Sequence, residues 1–142
     1  MGEVVLALDV GDARIGVARA ETDLALAFGR GALTRASQAA DVAAVAELAA
    51  CEGATCVVVG LPIRTDGADS EQTRRVRAFA ASLAAAGLNV ELEDERFTTR
   101  IAERQLATGS LPRNKRHQKG RVDEASAVLI LESWLRRRAG VG

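Results

Sequence analysis

A chain of 142 residues, 48% hydrophobic and 27% charged, has the balance of one globular domain (1–142) whose core needs no disulfide staples. Its 19 basic and 19 acidic residues cancel, so net charge announces no polyanionic partner, and no apolar run approaches the ~20 residues of a membrane span. The N-terminus has no basic segment leading into an apolar one, which argues against a signal peptide and for a cytoplasmic protein without membrane contact.

In chain order, "EVVLALDV" is continuously apolar up to Asp9 and reads as a strand buried on both faces. A tight Gly11-Asp12 turn leads into "RIGVARA", so the first two strands should form an antiparallel hairpin. "ALAFGRGAL" is a third strand, weakened by Gly29 and Gly31. Residues Gln38 to Cys51 place Val42, Val45 and Leu48 at helical spacing and stop before Gly53. "ATCVVVG" is a short buried strand, and "LPIRTDGADS" is a loop marked by Pro62 and the Asp66-Gly67 pair. Ser70 caps a helix that carries Val76, Phe79 and Leu83 and stops at Gly87. "LNVELEDE" is a fifth strand ending in acids, after which Thr98 or Thr99 opens a helix to about Ala107. A basic loop, "TGSLPRNKRHQKG", precedes a last helix that starts near Arg121 and turns Val128, Leu129, Leu131 and Leu135 inward. The element order β-β-β-α-β-α-β-α predicts an α/β fold, a five-stranded mixed sheet with helices on both faces. Cys51 and Cys56 match no zinc spacing and read as small buried residues without chemistry.

The carboxylates are informative in their positions. Asp9 ends the first strand, Asp94 and Glu95 end the last, and Asp123 and Glu124 fall in what should be the first turn of the final helix. Ligands of an α/β sheet bind at the carboxyl ends of its parallel strands. If the first and fifth strands are parallel, their terminal acids converge there, and the final helix can bring Asp123 to the same place. Three mutually repelling carboxylates are stable together only around cations. Oxygen ligands without His or Cys favour Mg²⁺ or Mn²⁺, as one or two ions of the kind that serve phosphoryl transfer. Each acid alone has a plainer explanation: Asp123 and Glu124 suit a helix N-terminus, and Asp9 could pair with Arg14.

Four blocks, "LALDVGDARIGVA", "VVVGLPIRTDG", "DERFTT" and "KGRVDEASAVLILESWL", occur in this order along the chain. On them the sequence resembles the YqgF/RuvX family, ribonuclease-H-like proteins described as Holliday-junction-resolvase-like nucleases and as nucleases maturing precursor 16S ribosomal RNA. The resemblance implies a ribonuclease-H-like fold with Asp9, Glu95 and Asp123 as metal-binding catalytic acids. It also implies an endonuclease acting on structured nucleic acid, either a four-way DNA junction or precursor rRNA. Glu95 is preferred to Asp94 because the family's acid is the second letter of "DER", although strand alternation can present either. Asp12-Ala13 replaces an expected Thr-Lys-like pair. Ser126 stands where the related RuvC resolvases carry a fourth acid, so a second ion would need Asp94, Glu124 or substrate oxygens.

From Arg96 to Arg121 the chain has eight Arg or Lys residues and a single acid, Glu103. Such a segment immediately before Asp123 suits a phosphate backbone. The candidate contacts are Arg14 beside the hairpin, then Arg96, Arg100, Lys115, Arg116, His117, Lys119 and Arg121. His117, the lone histidine, could also protonate a leaving oxygen. Aromatic residues are only 3%, without tyrosine, so recognition by shape and backbone fits better than base stacking. Phe79, Phe97 and Trp134 read as core, with a dimer contact as the alternative for Trp134. Resolution of a junction would call for a homodimer with a symmetric pair of sites. Two other readings compete. One is a non-catalytic nucleic-acid-binding or ribosome-assembly module of the same fold. The other is an ATP-binding domain of the actin and sugar-kinase type, which shares the acid-glycine hairpin but normally needs two related domains.

Overall fold

The structure, a computed structural model, describes residues 2–63, 66–96 and 119–140, with the backbone alone for 119–122. Strands β1 (Val4–Val10), β2 (Arg14–Glu21) and β3 (Leu26–Thr34) precede α1 (Gln38–Glu52) and β4 (Ala54–Leu61). Then come α2 (Glu71–Ala85), β5 (Val90–Asp94) and α3 (Lys119–Arg138). This is the expected order. The strands form one sheet, β3-β2-β1-β4-β5, in which β1/β2 and β2/β3 are antiparallel while β1/β4 and β4/β5 are parallel. The helix expected after Thr98 or Thr99 and the basic loop behind it lie outside the described residues.

β1 and β4 are continuously apolar because both their faces are covered. Leu6, Leu8, Val10, Val57, Val59 and Leu61 pack with Val45 of α1 and with Val76, Phe79 and Leu83 of α2. On the opposite face Val5, Ala7, Ala18, Ala20, Cys56 and Val58 meet Ala127, Ile130, Leu131, Trp134 and Leu135 of α3. That second face is made largely of alanine, which lets the α3 backbone settle close to the sheet. Trp134 is buried and its Nε1 donates to Glu91 at 3.3 Å, so it belongs to the core.

Caps and glycines delimit the helices. Ser37 accepts from the Ala40 N–H to start α1, and Gly53, at φ +69°, ends it. Ser70 and Thr73 form a reciprocal capping box on α2. In the edge strand β3, Arg30 and Gly31 together oppose the single residue Val17, a bulge that Gly31 accommodates at φ +90°.

Two boundaries differ from expectation. The hairpin turns at Asp12-Ala13 rather than Gly11-Asp12, with the Gly11 N–H donating to the Arg14 carbonyl at 2.8 Å. Helix α3 begins at Lys119, so Asp123 is its fifth residue and its first turn holds no acid. The helix-dipole explanation for Asp123 and Glu124 therefore falls away, because that effect fades within the first turn. Among the described residues no helix is long and apolar enough to cross a membrane.

Candidate active site

Strand alternation decides which side chains meet. On β1, Leu6, Leu8 and Val10 face α1 and α2, so Val5, Ala7 and Asp9 face α3. On β5, Glu91 and Glu93 also face α3. Glu91 accepts from Trp134, and the buried Glu93 accepts from Ser133 Oγ at 2.7 Å and from Arg137 at 3.2 Å. Glu95 continues this row, one residue beyond the strand. Its N–H extends the β4/β5 ladder to the Leu61 carbonyl at 3.0 Å. Its Cγ lies over Gly60, where a Cβ would come within 3.1 Å.

Asp94 points the other way. Arg96 grips it with backbone N–H and guanidinium, at 2.9 Å from N, 2.9 Å from Nε and 2.7 Å from Nη2. Burial raises the Asp94 pKa, but the hydrogen bonds and charge of Arg96 outweigh it, and the group titrates below its usual range. Alternation thus puts Glu95, and not Asp94, on the α3 side of the sheet.

Gly16 seats the third acid. It pairs with Asp9 across the hairpin, and a Cβ on it would overlap the Asp123 carbonyl. Only glycine lets the α3 backbone rest there, which brings Asp123 beside Asp9. The adjacent Glu124 is turned towards β3, where it accepts from the Gly31 N–H at the bulge, at 2.5 Å, and packs on Gly29.

The three acids share one electrostatic environment. Burial first, and then the Asp123 charge, pushes Asp9 up to about 6. Burial, followed by the charges of Asp9 and Asp94, pushes Glu95 up to about 7. Asp9 is the middle member, coupled to both others. No basic side chain among the described residues pairs with it. Arg14, the partner its sequence position suggested, instead donates from Nε to Asp123 Oδ2 at 2.8 Å.

Among the described residues no three His, Cys, Asp or Glu side chains are grouped closely enough to hold a metal ion between them. The chemistry of the donor set nevertheless fits a hard divalent cation: it is oxygen only, and burial and a neighbouring carboxylate oppose the charge of both Asp9 and Glu95. Asp9, Glu95 and Asp123 would hold such an ion, and when bound it supplies charge neutralisation and Lewis acidity at a phosphate.

Of the remaining candidates, Arg14 and Arg96 are both engaged with acids. Arg100, Lys115, Arg116 and His117 lie outside the described residues, as do the side chains of Lys119 and Arg121, whose backbone belongs to α3. Cys56 is buried, and burial and Glu91 push its thiol up to about 12, so it is no nucleophile.

One support of the site carries no sequence signal. Arg35 donates from Nη1 to the Gly11 carbonyl at 2.8 Å and from Nε to the buried Asp41 at 2.7 Å. Its own N–H donates to Ala13 at 2.9 Å, and its guanidinium lies 5.3 Å from the Phe79 ring centre. Gln72 adds a bond to the Val10 carbonyl at 3.2 Å. Together they tie the hairpin that follows Asp9 to α1 and α2.

A mixed sheet in this order, with acids at the ends of its first and last strands and on the closing helix, defines a ribonuclease-H-like fold of the RuvC type. The T. thermophilus RuvC in complex with Holliday junction substrate superposes with a TM-score of 0.60 at 15% identity, covering 98% of this chain and 97% of that one. The yeast mitochondrial Holliday junction resolvase Ydc2 superposes with a TM-score of 0.61 at 13% identity, covering 96% and 79%. Residues 3–137 match the RuvX family, described as Holliday junction resolvase, and the chain belongs to this RuvX/YqgF family of nucleases. It is 46% identical over 131 residues to a Thermus thermophilus protein with the provisional name pre-16S rRNA nuclease (92% of this chain, 96% of that one). It is 45% identical over 133 residues to the Deinococcus radiodurans protein named Ribonuclease YqgF (94% and 88%).

Proposed function

We propose that this chain is a divalent-metal-dependent endonuclease hydrolysing phosphodiester bonds in structured nucleic acid, with Asp9, Glu95 and Asp123 as its metal-binding catalytic carboxylates. The observation that carries this reading is the half-buried Asp9 coupled to two further carboxylates, an anionic group that a cation would relieve. A single resident Mg²⁺ or Mn²⁺ suits the chain best. Asp94 is committed to Arg96, Glu124 to the Gly31 bulge, and Ser126 provides no fourth acid, so a second ion would depend on substrate oxygens. Arg100, Lys115, Arg116, His117, Lys119 and Arg121 are the proposed phosphate contacts, on the strength of their clustering in sequence.

Precursor 16S rRNA is the favoured substrate, because relatives more than 40% identical across nearly the whole chain carry that name. The description of the family supports a four-way DNA junction as the second reading, and a homodimer belongs to that reading alone. Both substrates are to be incubated with purified protein and Mg²⁺ or Mn²⁺. Cleavage of the RNA precursor, lost in Asp9→Asn and Asp123→Asn while binding persists, is the expected result. Binding of both substrates without cleavage of either would leave a non-catalytic module. ATP hydrolysis by the purified chain would revive the kinase-like reading.

A further inference from the structure

Arg14 sits immediately after the hairpin turn, two residues before Gly16 on the face of β2 that meets α3. Its Nε is taken by Asp123 Oδ2 at 2.8 Å, and no other bond to a described residue engages it. Two terminal nitrogens with four N–H groups therefore remain at the mouth of the site, and the side chain is about one-third exposed (31%). A guanidinium is planar, so fixing Nε to a carboxylate also fixes the plane in which the Nη donors lie. Lysine, with one rotatable point charge, cannot perform both tasks.

We propose that Arg14 is a positioning residue for Asp123, holding one carboxylate oxygen through Nε while its Nη nitrogens meet a non-bridging oxygen of the substrate phosphate. One side chain then sets the helix aspartate and the nucleic-acid strand in common register. The inference rests on the nuclease reading above and assigns Arg14 a duty beyond phosphate binding, because metal ligands lose affinity when the groups that orient them are removed.

The test is calorimetric titration of Mn²⁺ into the metal-free protein, alongside kcat and KM on the substrate that the wild type cuts. Arg14→Lys should weaken Mn²⁺ binding about tenfold or more and lower kcat, yet change KM by less than about threefold because the charge is kept. Arg14→Met should lose metal affinity and raise KM together. Thermal melting monitors the fold, and the exposure of the pair means that both variants should fold. If both variants bind Mn²⁺ as tightly as the wild type, or more tightly, Arg14 does not position Asp123. Asp9→Asn separates the two readings. Wild type that binds no more Mn²⁺ than this control overturns the nuclease assignment and the Arg14 role with it. Wild type that binds and cuts, with Arg14 variants of unchanged affinity, overturns the Arg14 role alone.

Discussion

Asp9 and Glu95 keep their protons in the fold to about pH 6 and about pH 7, whereas in the unfolded chain they release them near 3.8 and 4.5. Between these values the native state holds protons that the unfolded state has lost. The contribution of this pair is therefore most favourable below about pH 4, and it declines as pH rises through 7 by on the order of a few kcal/mol. Asp41 has the opposite sign. Burial raises its pKa, but the hydrogen bonds from Arg35 and the Ala36 N–H and the Arg35 charge lower it further, so its support is lost only as pH falls below 4. Denaturant melts of the metal-free protein from pH 5 to pH 8 should show falling stability. Asp9→Asn should flatten that slope and make the protein more stable than wild type at pH 8, while abolishing cleavage. Part of the slope should remain through Glu95, whereas an undiminished slope would mean that the Asp9 carboxyl ionises as it does in an unfolded chain.

Helix α3 is the element that completes the site, and Gly16 is where it rests. A methyl group there would strike the Asp123 backbone, which no side-chain rotation can move aside. Gly16→Ala should cost about 1–3 kcal/mol by overpacking and should reduce Mn²⁺ affinity disproportionately, since the displacement falls on Asp123. Gly60→Ala is an informative contrast. Its methyl would meet mainly the Ile130 side-chain tip, which can swing away, so calorimetry should show a smaller loss of affinity than with Gly16→Ala. The hairpin depends on α1 in the same manner. Arg35→Ala would leave Asp41 buried without its cation and should cost about 3 kcal/mol in chemical denaturation. With the hairpin loosened behind Asp9, cleavage should weaken as well. A loss of stability with full activity would show that Arg35 serves the fold alone.

At the scale of the molecule, local pattern was legible and long-range phase was not. The unbroken apolar runs of β1 and β4 marked them as central strands, and the acids at strand ends marked the crevice. The family resemblance favoured Glu95 over Asp94, but which of the two faces α3 needed the pairing of β5 with β4, because one residue of phase turns every side chain to the opposite face. Sequence proximity paired Arg14 with Asp9, but docking of α3 on Gly16 gives it a partner 109 positions away. Asp41 was hidden because a carboxylate on the buried side of an otherwise apolar helix makes sense only once Arg35 folds over it. These long-range assignments converge on Asp9 and the acids coupled to it, so a metal bound there would be a term in global stability as well as in the proposed catalysis. An ion that binds the native state alone, supplied at a hundred times its dissociation constant, adds about 2.7 kcal/mol. For a chain of this length that corresponds to a rise in Tm of roughly 5–10 °C. The rise should be larger at pH 8 than at pH 5.5, because protons on Asp9 and Glu95 compete with the ion, and it should vanish with a chelator. Asp123→Asn should lose most of it and Asp94→Asn very little, since Arg96 rather than the ion holds Asp94. Equal losses from the two substitutions would mean that the metal sits on the other side of β5 from α3, and the assignment of Glu95 would fail with it.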